Sequence, residues 1–497
     1  MSAATLRTDA IVIGTGLGGS VAAAVLAQAG RRVRLLEKNT RIGGICSTYE
    51  KDGFRVDIGT HLFSRGHRGP FGRIARRVGA RLPHFHVADD MVLLRAFEAD
   101  VTIPRALHRM PAMGLKAWLQ LRMPPHEMIE AARFFAHILL MSEEEIVAHD
   151  DVPMWDFLLE HTQSPRLIGA FGMLLGLYFV VPLRTMSAGE GLWCFRRMLR
   201  DQSLSYPHGG AITVPKAYVD AAVARGAQLE TGVEVVRIEP GPPHTVVLGD
   251  GRRITAPVVI ASTSLRDVVD GLVGPDFFPS AYVERVRSLK TSFVAVQAKL
   301  ALDRPLVKAG VLVGAASPHL ATFDDLTPAE FDRFFVDLEH GRLPRFTPIY
   351  APVPTNFDPS LAPPGCQLIT ACAIAPTTLT DWQDPPRAWI DNMMETLHKL
   401  IPGLDRHLLW SDTSDVRFLE RWIGKVGGPA ISCGQVVGQV GAGRPPVRTP
   451  IPGLYVGGCG AGGRGVGTEL AATSGELAAD AALADLRHGM LGAVAAA

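Results

Sequence analysis

Residues 9–13 (DAIVI) lead without interruption into Gly14-Thr15-Gly16-Leu17-Gly18-Gly19 and then into the alanine-rich stretch 20–29. β-Branched residues, then glycines, then good helix formers read as strand, tight turn and helix. The glycines differ in what they provide. Gly14 permits the turn, Gly16 lets a pyrophosphate approach the backbone, and Gly19 lets helix and strand pack closely. Leu17 and Gly18 complete the turn at the mouth of the helix, whose N-terminus faces the phosphates. A second strand, 32–36, ends at Glu37, eighteen residues past Gly19, where a carboxylate accepts hydrogen bonds from ribose hydroxyls and disfavours a 2′-phosphate. Strand, turn, helix, second strand and terminal acid together predict a dinucleotide site.

Length and composition bound the rest. A chain of 497 residues exceeds one ordinary core, so two domains are expected. Fifty basic residues against 49 acidic ones leave a net charge of +1, which supplies no field for nucleic acid. Cys46, Cys194, Cys366, Cys372, Cys433 and Cys459 form no CxxC pair, so neither a metal site nor a disulfide framework is expected, and the cytoplasm is the expected compartment. The strand pattern beginning by residue 9 leaves no space for a secretory leader. The most apolar stretch, 167–183, holds three glycines, ends at a proline break and barely reaches the length of a membrane span, so a crossing is not expected.

Beyond Glu37 the chain runs Lys38-Asn39-Thr40-Arg41-Ile42-Gly43-Gly44 and then, after a short interval, Gly53-Phe54-Arg55-Val56-Asp57-Ile58-Gly59-Thr60-His61. These residues resemble the extended motif of the flavin amine oxidase and phytoene desaturase superfamily. The resemblance implies FAD, with Lys38, Arg41, Gly43, Gly44, Thr60 and His61 beside it. Residues 206–210 (YPHGG) and 214–216 (VPK) are similar to the family's YPxGG and IP segments, and 226–239 match its crossover, which implies an adenine contact for Val235. A hairpin turning at 248–252 with a returning strand at 256–262 (APVVIAS) puts Ser262 and Thr263 near the cofactor. Residues 444–458 (RPPVRTPIPGLYVGG) resemble the family's RPxxxTPIxGLYLxG, and 462–468 (GGRGVGT) open a helix over 469–483. Gly458, Gly467 and Thr468 are thereby implied at the flavin, the helix N-terminus facing its electron-rich edge.

Within the superfamily, 358–365 (DPSLAPPG) is similar to the phytoene desaturase, carotenoid isomerase and retinol saturase-like branch and not to monoamine oxidases. One departure stands out: where the family carries HPGG, this chain has Cys459-Gly460-Ala461-Gly462-Gly463-Arg464. Cys433 sits in a desaturase-like setting (PAISCGQVVGQ), which implies that the FAD is not covalently bound.

The motifs fall into three blocks, so the expected fold class is α/β: a discontinuous Rossmann-type FAD-binding domain (1–85, 205–290, 410–490) with an interleaved α+β substrate domain (86–204, 291–409). Residues 104–204 read as helical. The wholly apolar 167–180 stretch is either a buried core helix or one wall of a lipophilic tunnel. Residues 104–125 mix Arg105, Arg109, Lys116 and Arg122 with Met110, Trp118 and Leu119, a composition that suits either a solvated basic face or peripheral contact with the cytoplasmic membrane.

Redox chemistry on an unactivated chain needs an apolar channel and few acid-base groups. His61, as proton donor or base, and Arg464, near the flavin ring, are the catalytic candidates, while Glu190 has an arginine partner as its alternative role. With no second nucleotide fingerprint, electrons are expected to pass to or from oxygen, a quinone or a separate reductase. The leading expectation is a desaturase, saturase or isomerase acting on a lipophilic isoprenoid or carotenoid-like substrate by hydride transfer with flavin N5. Its rivals are a flavin amine oxidase, which calls for an aromatic cage, and a non-catalytic FAD-binding or prenyl-carrier protein.

Overall fold

The computed structural model describes residues 6–490 apart from 60, 61, 98, 122, 123, 202, 203 and 379. A five-stranded parallel sheet organises the first domain, in the order Gln228–Thr231, Val33–Glu37, Ala10–Ile13, Val258–Ala261, Leu454–Val456. Its central strands are apolar throughout because both faces are covered. Ala10, Val12, Val258 and Ile260 pack under the helices Leu17–Gln28, Thr213–Val223 and Gly467–Arg487. Ile11, Val259 and Ala261 face a second layer, the four-stranded sheet of Leu6–Arg7, Arg253–Ala256, His244–Leu248 and Val235–Glu239. From Ala10–Ile13 the chain proceeds to one neighbouring strand and later returns to the other, so the strand order reverses there. The carboxyl ends beside that reversal form the crevice in which such sheets bind ligands.

The second domain is built on a seven-stranded sheet in the order Leu408–Ser414, Val294–Leu302, Gln367–Ala375, Thr347–Pro352, Val311–Ala316, Asp90–Ala96, Ala99–Pro104. Every pairing is antiparallel except that of Val311–Ala316 with Asp90–Ala96. Helices Pro328–Glu339 and Pro386–Leu400 help to complete its core. A separate helical lobe, from Met110–Leu121 to Ala188–Asp201, has its own core around Phe134, Phe157, Phe171 and Phe179. A three-stranded sheet of Phe63–Ser64, Leu204–Pro207 and Phe85–Val87 packs on the core of the first domain through Phe63 and Phe85.

The α/β fold class and the discontinuous first domain match the sequence expectation, with two differences in detail. Strand Leu408–Ser414 pairs along Val294–Leu302 in the second domain, so the third cofactor block begins after it and not at residue 410. Its alternating exposure marks it as an edge strand, a placement only the partner strand reveals. The strand returning from the 248–252 turn is Arg253–Ala256, and after Pro257 the run Val258–Ala261 departs to the parallel sheet. Proline has no N–H for a ladder, and two sheets share what reads as one apolar run. Among the described residues no helix is long and apolar enough to cross a membrane.

Candidate cofactor and active site

Two kinds of glycine line the crevice. At Gly18 a Cβ would lie 2.6 Å from the Gly457 carbonyl oxygen, and at Gly19 it would lie 1.9 Å from the Gly14 carbonyl oxygen. These positions hold the turn against its neighbours, and the Gly19 N–H donates to the Ser262 hydroxyl at 2.9 Å. At Gly16, Gly458 and Gly467, by contrast, a Cβ would meet nothing within 4 Å. Tight backbone contact beneath and open space above make a cradle with room for a cofactor, and the residues present fit FAD.

The acid at the end of the second strand is committed in a particular way. Glu37 is buried, and its Oε2 accepts from both the main-chain N–H and the hydroxyl of Thr15, at 2.9 and 2.6 Å. The same hydroxyl accepts from Gly43 N–H at 3.0 Å, while Glu37 Oε1 accepts from Asn39 N–H at 2.9 Å. One side chain, Thr15, therefore ties the first glycine turn to the second glycine loop. That second loop is closed from outside by the helix Val416–Ile423 and its end: Trp422 Nε1 donates to Gly44 O at 3.0 Å, and Lys38 Nζ donates to Arg421 O at 2.7 Å. Gly44 itself sits close to Gly16, a Cβ there reaching 3.4 Å from the Gly16 Cα.

The structure thus brings together Gly14, Gly16, Leu17, Gly18, Gly19, Glu37, Gly43, Gly44, Ser262 and, through Gly457, Gly458. Lys38 is turned to Arg421 O, Arg41 is exposed, and Thr263 Oγ1 faces Asp267 at 3.5 Å. Val235 is buried at the start of its strand, in the core that also holds Ile11 and Leu36. Gly467 and Thr468 open the helix Gly467–Arg487. Thr60 and His61 lie outside the described residues.

Arg464 is held in an ion-pair network. Its guanidinium donates to Asp150 and, at 3.1 Å, to Glu190. Glu190 is fully buried and also accepts from Gly465 N–H at 2.6 Å and from Arg444 at 3.4 Å. Burial pushes the Glu190 carboxyl up, while Arg444, the Gly465 N–H and Arg464 favour its ionised form. Its paired role is the one the geometry bears out. The network pins the Gly462–Gly467 loop, which overlaps the departure at 459–464, to the helical lobe, and the Trp193 ring stands 3.6 Å from a Cβ at Gly465.

Sequence reasoning passes over other groups at the junction of the two domains. Asp57 is buried and accepts from Thr48 Oγ1 at 2.6 Å, from Ala211 N–H at 3.0 Å and from the Tyr206 hydroxyl. Lys299, buried on the seven-stranded sheet, donates to Gln297 Oε1 at 2.9 Å; burial pulls its ammonium down to about 8 despite the pull of Asp57. Glu469 lies in the first turn of the Gly467–Arg487 helix, and burial pushes its carboxyl up to about 7 against the influence of Arg65. The signal for Lys299 is a lysine inside an apolar strand run (VAVQAKLAL), a pattern that requires an internal partner.

A discontinuous parallel sheet with an open glycine cradle, set against a second domain roofed by an apolar helical lobe, defines a nucleotide-cofactor oxidoreductase of two interleaved domains. The chain belongs to the flavin-containing amine oxidoreductase family, whose pattern matches residues 17–483. Its cofactor is FAD. Prolycopene isomerase 2 of an Oncidium hybrid cultivar is 25% identical over 490 residues, covering 90% of this chain and 79% of that protein. Phytoene desaturase of Fusarium fujikuroi is 26% identical over 401 residues, covering 72% of this chain and 65% of its own. These relatives bear out the branch expected from the DPSLAPPG stretch. A mouse pyridine nucleotide-disulfide oxidoreductase domain-containing protein 2 is 28% identical over 307 residues; the match spans 57% of this chain and about half, 52%, of the mouse protein. Among solved structures, an oxidoreductase from Methanosarcina mazei superposes with a TM-score of 0.69 at 20% identity, covering 95% of this chain and 99% of that one, which speaks for the fold alone.

Proposed function

We propose that this flavoenzyme acts on CH–CH or C=C bonds of a lipophilic, isoprenoid- or carotenoid-like substrate, as a desaturase, saturase or isomerase. The observation that carries the reading is the chemistry at the domain junction. Ile45, directly after the second glycine pair, packs against the cores of both domains, and Leu177, Val180 and Phe293 keep partial exposure against the second one. Val180, a β-branched residue, is held at φ +57° with its carbonyl accepting from Phe293 N–H at 2.9 Å, a conformation that needs support from its surroundings. Partly exposed apolar side chains at such a junction suit a hydrocarbon substrate, positioned by shape with water excluded.

Bound FAD supplies a two-electron acceptor or donor. With FAD bound, Gly16 would give the pyrophosphate close access to the backbone, the remaining lone pairs of Glu37 would accept from ribose hydroxyls, and Val235 would lie at the adenine. The first N–H groups of the Gly467–Arg487 helix stabilise negative charge at the flavin, which is bound without a covalent link. His61 and Arg464 retain separate parts in this proposal: His61 as a proton donor or base, Arg464 as the residue that holds the loop before that helix.

The amine oxidase alternative calls for tyrosine or tryptophan rings free to flank an amine. Of the seven tyrosines, Tyr49 bonds Asp412, Tyr206 bonds Asp57, Tyr218 bonds Phe71 O, Tyr455 bonds Asp485 and Tyr282 stacks on Phe278. Four hydroxyls are thus bound elsewhere, which supports the hydrocarbon reading, while Tyr178 and Tyr350 are the two partly buried tyrosines against which an amine substrate would be tested. A lipid-borne substrate also accounts for the exposed Leu115, Trp118, Leu119, Ile129 and Leu140 on helices Met110–Leu121 and Pro125–Leu140, a surface suited to peripheral contact with a membrane. Of the basic residues there, Arg109 and Lys116 are paired with Asp90 and Asp100, which offsets part of the positive charge beside the apolar area.

Anaerobic titration of the purified yellow protein tests the proposal. Loss of oxidised-flavin absorbance on adding a saturated isoprenoid, or reoxidation of reduced enzyme by a polyene, is the expected result. Bleaching by an amine and by no hydrocarbon would overturn it.

A further inference from the structure

Two motifs that the cofactor leaves unused, YPHGG at 206–210 and DPSLAPPG at 358–365, meet in space although some 150 residues separate them. Asp358 is almost wholly buried and accepts from Gly209 N–H through Oδ2 at 2.7 Å, while its Oδ1 accepts from the N–H and hydroxyl of Ser360 at 3.1 and 2.7 Å. One imidazole reaches this carboxylate directly and a second stands behind it. His208 Nδ1 lies 3.1 Å from Asp358 Oδ2, and His86 Nε2 lies 3.4 Å from that same His208 nitrogen. All three ligand atoms fall within 4.8 Å of one another.

We propose that His86, His208 and Asp358 form a site for a divalent transition-metal ion of the zinc type, which staples the three-stranded sheet of the cofactor domain to the Asp358 turn of the second domain. Metal–nitrogen and metal–oxygen bonds of about 2.0–2.1 Å in a tetrahedron set ligand atoms about 3.3 Å apart, close to the two measured edges. A hydrogen bond from His208 Nδ1–H to Asp358 Oδ2 accounts for the 3.1 Å contact, whereas a shared metal ion would also account for the approach of His86 Nε2 to the same nitrogen.

His84 pairs its carbonyl with His208 N–H at 2.8 Å and sets its ring edge-on to His86, 4.7 Å between centroids, leaving it or a water molecule to complete the set. The cysteine pattern gives no hint of such a site because none of its ligands is a cysteine and the three come from separate segments.

The test uses the flavin-loaded protein after dialysis against a chelator, titrated with Zn²⁺ by calorimetry and with Co²⁺ by difference absorption. One equivalent of each, visible Co²⁺ ligand-field bands and a Tm raised by Zn²⁺ are expected, with binding weakened at least about tenfold by His86→Gln and by His208→Gln. Both variants should fold, because neither imidazole is fully buried. Absence of saturable binding, or binding indifferent to both substitutions, would leave only a histidine–aspartate hydrogen bond and overturn the proposal.

Discussion

Thr15 donates to Glu37 Oε2 through both its backbone and its hydroxyl, at 2.9 and 2.6 Å, and the hydroxyl then accepts from Gly43 N–H at 3.0 Å. Thr15→Val keeps the shape and the main-chain N–H to Glu37 but removes the hydroxyl donor and strands the Gly43 N–H. A buried group left unpaired costs about 1–3 kcal/mol. Thermal stability and flavin content should both fall for Thr15→Val and recover in Thr15→Ser; unchanged flavin content in the valine variant would refute the coupling of the two loops.

The two kinds of glycine should separate cleanly. A Cβ at Gly475 would lie 2.1 Å from the Gly18 carbonyl oxygen, where backbone meets backbone between two helices, so Gly475→Ala should fail to fold or lose several kcal/mol. Gly16→Ala meets no protein atom and should fold with near-native stability while flavin affinity falls. Circular dichroism and flavin titration distinguish the two, and equal stability losses would contradict the assignment.

Glu469 gives a pH signature. Its folded-state carboxyl, pushed by burial to about 7, lies above its unfolded value, so the stability it contributes is complete below pH 4.5 and is lost as pH rises through 7. Glu469→Gln cannot ionise and should therefore exceed the parent protein in stability at pH 8 by up to about 3 kcal/mol, with the difference shrinking toward pH 5. Urea unfolding of both proteins at the two pH values measures this directly.

Arg464→Met would leave Glu190 and Asp150 short of a counter-charge inside the protein. Breaking one partner from a buried pair costs about 3–5 kcal/mol, and partial exposure of Arg464 places the expected loss at the low end. A fall in Tm together with activity supports a loop-holding role. Lost turnover with an unchanged Tm would instead make Arg464 a reacting group.

Exposed apolar side chains on the helical lobe predict cosedimentation with phospholipid vesicles that is little weakened by salt. The double substitution Leu119→Glu and Leu140→Glu should abolish it without altering Tm, since both side chains are well exposed. Sedimentation that persists in the double variant would rule out this surface.

The turn at 14–19, the acid at 37, the second glycine pair and the discontinuous cofactor domain are all legible in the chain, because each is a local backbone demand written in glycines, apolar runs and one terminal acid. Strand Leu408–Ser414 is not, because an edge strand's alternation names no partner. The supports are hidden for the same reason. Thr15 looks like an ordinary turn residue and Trp422 like a surface aromatic until Gly43 and Gly44 are brought beside them, and Arg464, a catalytic candidate in the sequence, shows its pairing only once Glu190 stands next to it.

Sequence by itself determined the cofactor class and the strand–turn–helix that receives it, since steric and hydrogen-bonding needs of a few consecutive residues suffice for that. Tertiary structure alone decided which charges are paired, which glycines face open space, and that His86, His208 and Asp358 share one site. Those properties depend on distances between segments scores to hundreds of residues apart, and only the packing of both domains sets such distances.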